Sequence, residues 1–176
     1  MKAIITTLLI FGMYANQGTF EANLSKSELL IKGTSTVHDW TSTVNDYKVT
    51  GVLTENEVND LNVVVTTKSI KSGKSIMDDK TYDALQAEKF PVIGFSADKL
   101  SKSEGKISGK GILNLVGKDQ SVQFTANTKP ASDGALQVTG QVSITMSDFG
   151  IEPPTAMFGT ITTGDEVTIQ FNFILN

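Results

Sequence analysis

Apolar and polar residues alternate along most of this chain, with the period of two that is typical of β-strands with one buried face. The alternation is clearest in residues 61–69, where Leu61, Val63 and Val65 share one face, and in residues 166–175. Turn-forming residues separate the alternating segments. The pattern predicts about eight strands, at residues 28–33, 40–54 (one or two strands, with a turn near Asn45 and Asp46), 61–69, 93–97, 107–116, 122–127, 136–146 and 166–175.

The number and length of these strands favour an all-β fold, and a closed antiparallel β-barrel over a sandwich. A barrel of about eight strands is just wide enough to hold one ligand or to be filled by its own side chains. Glycines interrupt several of the strand segments, where each marks either a bend that relieves curvature or space left for another group. These glycines are Gly51, Gly94, Gly109, Gly111 and Gly140.

One segment departs from the alternation, SIKSGKSIMDDKTYDALQAEKFPVIGFSA at residues 69–97. Its apolar residues recur at helical spacing, and they are Ile76, Met77, Tyr82, Leu85 and Phe90. Ser75 is a candidate N-cap, Asp78 lies in the acid-tolerant first turn, and Pro91 stops helical propagation. We therefore predict one short capping helix over residues 75–88, lying across an open end of the barrel as a lid over an interior cavity.

Residues of equal parity on neighbouring strands should line a common interior, because one face of every barrel strand points inward. We expect an elongated apolar tunnel with Trp40 and Tyr82 near its mouth. The candidate ligand-binding residues that would line it are Trp40, Val63, Val65, Met77, Tyr82, Leu85, Phe95, Leu113, Phe124, Val142, Ile144, Phe149, Met157 and Phe158. Two of these, Met157 and Phe158, follow a pair of prolines in a loop, and they either plug the barrel end or frame an entrance.

The N-terminus resembles a cleaved secretory signal, because Lys2 precedes an apolar run at residues 3–14 (AIITTLLIFGMY). That run is shorter than the ~20 residues of a membrane-spanning helix, and the alternative is a buried N-terminal strand or helix. Ala15 and Ala22 are the candidate cleavage positions. We expect residues 1–22 to be a signal peptide and disordered N-terminus, residues 23–176 to form one barrel domain, and the protein to be periplasmic or secreted.

The charge pattern excludes several classes of partner. All 15 basic residues are lysines, and the formal net charge is −4. An acidic chain without arginine does not suit nucleic acid, whose phosphates need clustered basic residues. It also lacks the polybasic patch that an anionic membrane surface attracts, so we expect no stable membrane insertion. With no cysteine, disulfides, thiolate metal sites and a lipoprotein anchor are excluded. The oligomeric state is left open.

The chain offers few groups for catalysis. His38 is the only histidine, and neighbouring residues on a strand point to opposite faces, so Ser35, His38 and Asp39 do not form a triad signature. Either His38 and Asp39 hydrogen-bond the first turn at the barrel mouth, or His38 or Trp40 contacts a ligand head group. Asp78 and its acidic neighbour Asp79 are more simply explained as helix-start acids than as a metal or acid–base pair. We expect no enzyme activity, no cofactor and no metal.

Several segments together resemble the YceI-like family over residues 29–176. They are GTSTVHDW at residues 33–40, the strand–helix–strand block at 69–97, the hairpin GKGILNLVGKDQSVQF at 109–124, SITMSDFGI at 143–151, and TGDEVTIQF at 163–171. The sequence departs from the family's commoner pattern in the first of these segments, at the hairpin turn and at the helix start, which are loop and rim positions.

The resemblance implies a small exported, lipocalin-like barrel that binds polyisoprenoid or a related lipid. The expected partner is therefore a long-chain apolar lipid or isoprenoid, sheathed in the barrel interior. Burial of apolar surface would drive such binding, at about 0.8 kcal/mol per methylene. The alternative is a structural or stress-related barrel whose core is filled by its own side chains and takes no ligand.

Overall fold

The computed structural model describes residues 18–176 and shows an all-β fold with one short α-helix in that part of the chain. The strands are β1 (Gly18–Glu21), β2 (Glu28–Ser35), β3 (Trp40–Val44), β4 (Tyr47–Leu53), β5 (Glu57–Thr66), β6 (Ile70–Lys71), β7 (Val92–Ser103), β8 (Lys106–Leu115), β9 (Lys118–Pro130), β10 (Leu136–Thr145), β11 (Thr155–Ala156) and β12 (Ile161–Leu175). The helix α1 spans Ser75–Ala84, between β6 and β7. Short 3-10 turns occur at Leu24–Lys26, Thr67–Ser69, Ser132–Gly134 and Met146–Phe149.

The strands form one antiparallel sheet. Eleven of them follow each other in the order β1-β4-β5-β7-β8-β9-β10-β12-β2-β3-β6, and β11 adds to β12 as a short hairpin. Five of the ten neighbouring pairs in this order are consecutive along the chain, namely β2–β3, β4–β5, β7–β8, β8–β9 and β9–β10. The other five include the C-terminal strand β12 beside β2, and β6 beside β3.

The predicted strands are present, and several are longer than the alternation indicated. The turn expected at Asn45 and Asp46 separates β3 from β4. The second half of β7, the end of β9 and the start of β12 are rich in polar residues, so alternation did not reveal them. These stretches pair through their backbones, and ladder hydrogen bonds need no apolar side chains.

The closed barrel of about eight strands is not confirmed. The strand order is open, because β1 and β6 at its two ends do not pair with each other, and the sheet curls into a half-barrel of eleven strands. Some neighbouring strands also do not stay paired along their whole length. Strands β9 and β10 pair only from Ala126 to Pro130 on one side and from Leu136 to Gly140 on the other. Beyond Gly140, β10 continues alongside β12 alone. The 3-10 turn Met146–Phe149 lies next to β9 here, and Gln120 donates a hydrogen bond to the Asp148 carbonyl oxygen at 3.0 Å.

The N-terminal strand joins two distant parts of the sheet. Strand β1 pairs with β4, and the amide of the next residue, Ala22, donates to the Val49 carbonyl oxygen at 3.0 Å. Ala22 also forms a bridge with Leu175 at the end of β12. Phe20 and Ala22 are both buried. These residues fall within the segment 1–22 that was expected to be a signal peptide and disordered N-terminus, and residues 1–17 of that segment lie outside the described residues.

Two inward-facing positions show how the sheet curls so tightly. A Cβ atom built on Gly111 would lie 2.1 Å from Cζ of Phe95, and one on Gly140 would lie 2.6 Å from Cζ of Phe171. Each phenylalanine ring therefore lies across the strand over a glycine, in a space that any side chain would occupy. Neighbouring aromatic rings occupy the space above both glycines, so that space is not left open for a ligand. Gly140→Phe would therefore displace the ring of Phe171 instead of simply filling the interior.

The helix begins without the side-chain cap predicted at Ser75. Its N-cap residue is Lys74, which makes no capping side-chain bond. Asp78 instead holds the segment before the helix, because its Oδ1 accepts hydrogen bonds from the Ser72 amide and the Ser72 hydroxyl, each at 2.7 Å. These bonds hold the pKa of the Asp78 carboxyl below its ordinary value, and the Lys71 ammonium group acts in the same direction. The carboxylate thus fixes the turn that leads into the helix.

The helix ends earlier than predicted, and not because of Pro91. Gln86 adopts a left-handed conformation with φ 47°. Its amide donates to the Asp83 carbonyl oxygen at 3.0 Å, and the Ala87 amide donates to that of Tyr82 at 2.9 Å. This pair of bonds is the Schellman motif, which terminates helices. The alternation of apolar residues could not show it, because the left-handed position carries glutamine where glycine is usual.

Tyr82 attaches the helix to β6. Its hydroxyl lies 3.0 Å from the Ile70 carbonyl oxygen and 2.9 Å from the Lys68 carbonyl oxygen, and it accepts a hydrogen bond from the Lys71 ammonium. The phenol therefore points toward the sheet edge. These bonds hold α1 against the sheet edge formed by β6.

We expect Gly111→Val to destabilise the fold by about 3 kcal/mol, because the new side chain must displace the ring of Phe95 in a packed interior. The matched control is Gly94→Val on the adjacent strand, where a Cβ atom meets nothing within 4 Å. That change should be neutral or slightly stabilising, since valine favours strands. Urea unfolding of both variants tests this, and equal midpoints would show that the ring is free to move.

We also expect the Asp78 carboxylate to make the free energy of unfolding depend on pH in the acidic range. The folded pKa lies below the ordinary 3.8, so the unfolded chain takes up this proton at a higher pH than the folded chain does. The stabilisation is therefore complete above pH 3.8 and is lost as pH falls through the folded pKa. Asp78→Asn should lower stability by about 1–2 kcal/mol at neutral pH and should flatten the fall in thermal midpoint on acidification. Asp79→Asn, at the exposed neighbouring position, is the control and should follow the parent protein.

Candidate functional site

The curled sheet and α1 enclose a cavity of about 440 Å³. This volume lies within the range of roughly 300–1,000 Å³ found for ligand pockets. Of its 44 lining residues, only seven are polar. The apolar inward faces of the long strands supply most of the surface, so the cavity can hold an apolar molecule without leaving polar groups unpaired.

The cavity opens at the helix end. Five of its lining residues are exposed to solvent, and all five belong to three segments that we call the mouth: residues 35–40, α1, and the hairpin at residues 154–163. The exposed lining residues are Val37, His38, Ile76, Lys80 and Thr155. The rest of the lining is buried or half-buried, so access to the interior is through this end.

Polar groups of the cavity are concentrated at this mouth. Six of the seven polar lining residues lie in the three mouth segments, and they are Ser35, His38, Lys80, Thr81, Thr155 and Thr163. The seventh, Ser42, is buried two residues beyond Trp40 on β3. The cavity is therefore polar at one end and apolar along the remainder of its length, which suits a molecule with a polar head and an apolar tail.

Trp40 forms one wall of the mouth. Its indole nitrogen donates a hydrogen bond to the Thr34 carbonyl oxygen at 3.1 Å, and its ring lies over Gly33, the residue opposite it in register. The ring is half-buried and lines the cavity. The only tryptophan of the chain is thus held in a fixed orientation beside the entrance.

His38 is exposed in the turn between β2 and β3. Its Nδ1 lies 2.9 Å from the Asp39 carbonyl oxygen. The Ser35 hydroxyl donates to the His38 carbonyl oxygen at 2.7 Å and accepts from the His38 amide at 3.2 Å. Serine and histidine are therefore linked through the backbone of the turn and not as nucleophile and base, while the imidazole remains accessible from the cavity.

The structure brings ten of the fourteen candidate ligand-binding residues to the cavity surface. They are Trp40, Val63, Val65, Met77, Leu85, Phe95, Leu113, Phe124, Val142 and Ile144. They come from β3, β5, β7, β8, β9, β10, α1 and the residue after α1, as equal parity on neighbouring strands implied. Their contact with a ligand stays a prediction.

The other four candidates lie outside the lining. Tyr82 is turned toward β6 by its hydroxyl bonds, and Phe149 is 2% exposed in the packing beneath the 3-10 turn. Met157 and Phe158 form the tip of the β11–β12 hairpin and project into solvent, with exposures of 70% and 110%. They do not plug the barrel end, because neither contributes to the interior.

Sequence reasoning also missed parts of the interior. The inward residues of the last strand, Ile169, Phe171 and Phe173, line the cavity, and their alternation was the signal that could have placed them there. Tyr47 lies behind Phe173, with ring centroids 5.7 Å apart. Its hydroxyl is buried without a hydrogen-bond partner, and burial together with Glu28 raises the pKa of this phenol above 10.0. The Tyr47 phenol thus stays uncharged at neutral pH.

Residues 18–176 contain no helix that is both long enough and apolar enough to cross a membrane. In the same residues, no three His, Cys, Asp or Glu side chains come together as a metal site would require.

Solved structures with a similar fold include three bacterial proteins. BcnA of Burkholderia cenocepacia is 15% identical, with a TM-score of 0.71 over 88% of this chain and 99% of that chain. A polyisoprenoid binding domain from Saccharophagus degradans is 13% identical, with a TM-score of 0.68 over 89% and 97%. The YCEI protein of Campylobacter jejuni is 18% identical, with a TM-score of 0.58 over 76% and 82%. At these identities the likeness concerns the fold.

The sequence comparisons gave two further results. No curated protein matches this chain significantly. The family model described as the YceI-like domain matches residues 19–175. That span begins in β1 and ends with β12, and so it includes every strand and the helix described above. The chain therefore belongs to the YceI-like family.

Proposed function

We propose that this protein is an exported, non-enzymatic carrier that holds an extended apolar ligand, an isoprenoid or similar lipid, inside the half-barrel. The observation that carries this proposal is the cavity of about 440 Å³ with 37 apolar residues among its 44 lining residues. Family membership supports it, and so does the fold shared with a polyisoprenoid binding domain. Burial of the chain would provide about 0.8 kcal/mol per methylene.

The distribution of polar groups suggests how the ligand is oriented. A lipid tail would lie along β5, β7, β8 and β10, where inward side chains are apolar, and its polar head would remain at the mouth. His38 and Lys80 are exposed there and line the cavity. Lysine donates hydrogen bonds and carries a positive charge, so it suits a hydroxyl, carboxylate or phosphate head group.

The alternative, a structural barrel without a ligand, requires an interior filled by its own side chains. Native interiors are close-packed and have few voids larger than a water molecule. A cavity of about 440 Å³ is far larger than such voids, and an apolar cavity of this size stabilises the protein only when it is occupied. This contrast supports a carrier over a purely structural protein.

Export requires a leader whose removal spares the sheet. Cleavage after Ala22 would remove β1 and the buried side chain of Phe20, whereas cleavage after Ala15 would leave both in place. Losing a buried phenylalanine costs about 3–5 kcal/mol. We therefore propose Ala15 as the cleavage position.

We expect Val142→Trp to lower affinity for a long-chain lipid at least tenfold, because the larger ring projects from β10 into the cavity. Gln141→Trp is the matched control, since residue 141 is exposed on the outer face of the same strand. Displacement of a fluorescent fatty acid measures the affinity, and mass spectrometry of organic extracts identifies what each protein retains. Equal affinity and equal extracts for the two variants would place the ligand elsewhere.

The export proposal predicts a new N-terminus. Protein recovered from its native host should begin at Asn16, and intact-mass measurement of the purified protein detects this directly. An Ala15→Arg variant should accumulate with its leader attached, because signal peptidases need a small residue at the cleavage position. Finding Met1 on the native protein would contradict export.

A further inference from the structure

We propose that the mouth docks on the surface of a lipid bilayer through Val37, Ile76, Met157 and Phe158, here called the apolar rim, so that the ligand passes between membrane and cavity without crossing water. This inference rests on the proposed carrier function. It adds a partner, a bilayer of zwitterionic lipids, and a surface that contacts it.

The first observation is where the exposed apolar side chains lie. Among residues 18–176, the four most exposed large apolar residues are Phe158 at 110%, Ile76 at 75%, Met157 at 70% and Val37 at 63%. All four belong to the three mouth segments. Other exposed apolar side chains, such as Leu24 and Ile112, reach 47% and 44%. Single exposed apolar residues are ordinary, but a group of them at one site indicates a binding surface.

The second observation concerns the hairpin tip. Met157, Phe158 and Gly159 have φ angles of 52°, 56° and 86°. Non-glycine residues seldom adopt this left-handed conformation, and turns that need it usually carry glycine, asparagine or aspartate. Here the chain places two large apolar side chains in such a turn and points them into solvent. Exposing these two side chains would not stabilise a turn that has no apolar partner.

Two of the three segments that carry the rim are also held together. The Thr36 amide donates to the Thr162 carbonyl oxygen at 3.0 Å, and the Thr162 amide donates to the Thr36 hydroxyl at 3.2 Å. These bonds join the turn that carries Val37 to the hairpin that carries Phe158. The hairpin base also contains Pro153 and Pro154, which restrict its backbone. Val37, Met157 and Phe158 can therefore meet a flat surface together.

The choice of a bilayer follows from continuity with the cavity and from charge. The rim borders the opening of an apolar cavity, and a ligand suited to that cavity resides in lipid rather than in water. Exposed charged residues on the mouth segments are Asp39, Asp79, Lys80 and Asp83, and Lys74 and Glu152 lie just outside them, so both signs are present. No polybasic patch favours anionic lipid here. Four side chains are also far fewer than the roughly 20–30 residues a side of a standard protein interface.

The test compares the parent protein with the double variant Met157→Asn/Phe158→Asn. Asparagine tolerates the left-handed conformation, so the hairpin should keep its shape. Leu24→Asn/Ile112→Asn is the control, because it removes two exposed apolar side chains away from the mouth. The vesicles are phosphatidylcholine loaded with self-quenched, pyrene-labelled palmitate, and the rate of fluorescence recovery measures extraction.

We expect the tip variant to extract the probe at least tenfold more slowly and to float less with the vesicles, while the control matches the parent. All three proteins should bind the same probe equally when it is delivered from ethanol. Equal extraction rates for parent and tip variant would overturn docking. So would flotation that requires phosphatidylglycerol, or a parent dimer that the tip substitutions dissociate. A parent protein that binds no probe from ethanol would instead overturn the carrier function.

Discussion

The rest of the structure depends on the burial of one apolar sheet face. An antiparallel sheet can leave one face to water, but the other must be covered, and residues 18–176 contain one short α-helix to cover it. The sheet therefore curls over its own inner face. Gly111 and Gly140 leave room on that face for the rings of Phe95 and Phe171. The interior is thus lined by rings and aliphatic chains without being filled by them.

The same constraint accounts for the polarity of the cavity. Strands that bury one face contribute apolar residues along their length, and polar residues enter the lining almost only where segments leave the sheet. The turn with His38, the helix with Lys80 and the hairpin with Thr155 all meet at one end. The cavity is therefore polar at one end because the segments that connect the strands meet at that end. The bonds of Tyr82 and Asp78 then fix the helix at this end rather than elsewhere on the surface.

The mouth combines stability and exposure in an unusual way. Two hydrogen bonds between Thr36 and Thr162 join the turn to the hairpin, yet the three mouth segments present the most exposed apolar side chains of the described chain. Exposed apolar groups are costly in water unless they meet an apolar partner. The proposed carrier function would supply a reason for them at the opening, because the ligand would leave one apolar environment and enter another.

Alternation by itself determined the all-β class, the turn at Asn45, and the inward parity of residues such as Val65, Leu113 and Ile144, because a strand's faces are set by local geometry. The helical spacing from Ile76 to Leu85 likewise located α1 along the chain but placed its end too late. Only the tertiary structure decided how far strands stay paired, that glycines are covered by rings, that Tyr82 points to the sheet, and that Met157 and Phe158 project outward. These features depend on which distant residues meet, and a periodic pattern carries information about a side chain's face but none about its neighbour.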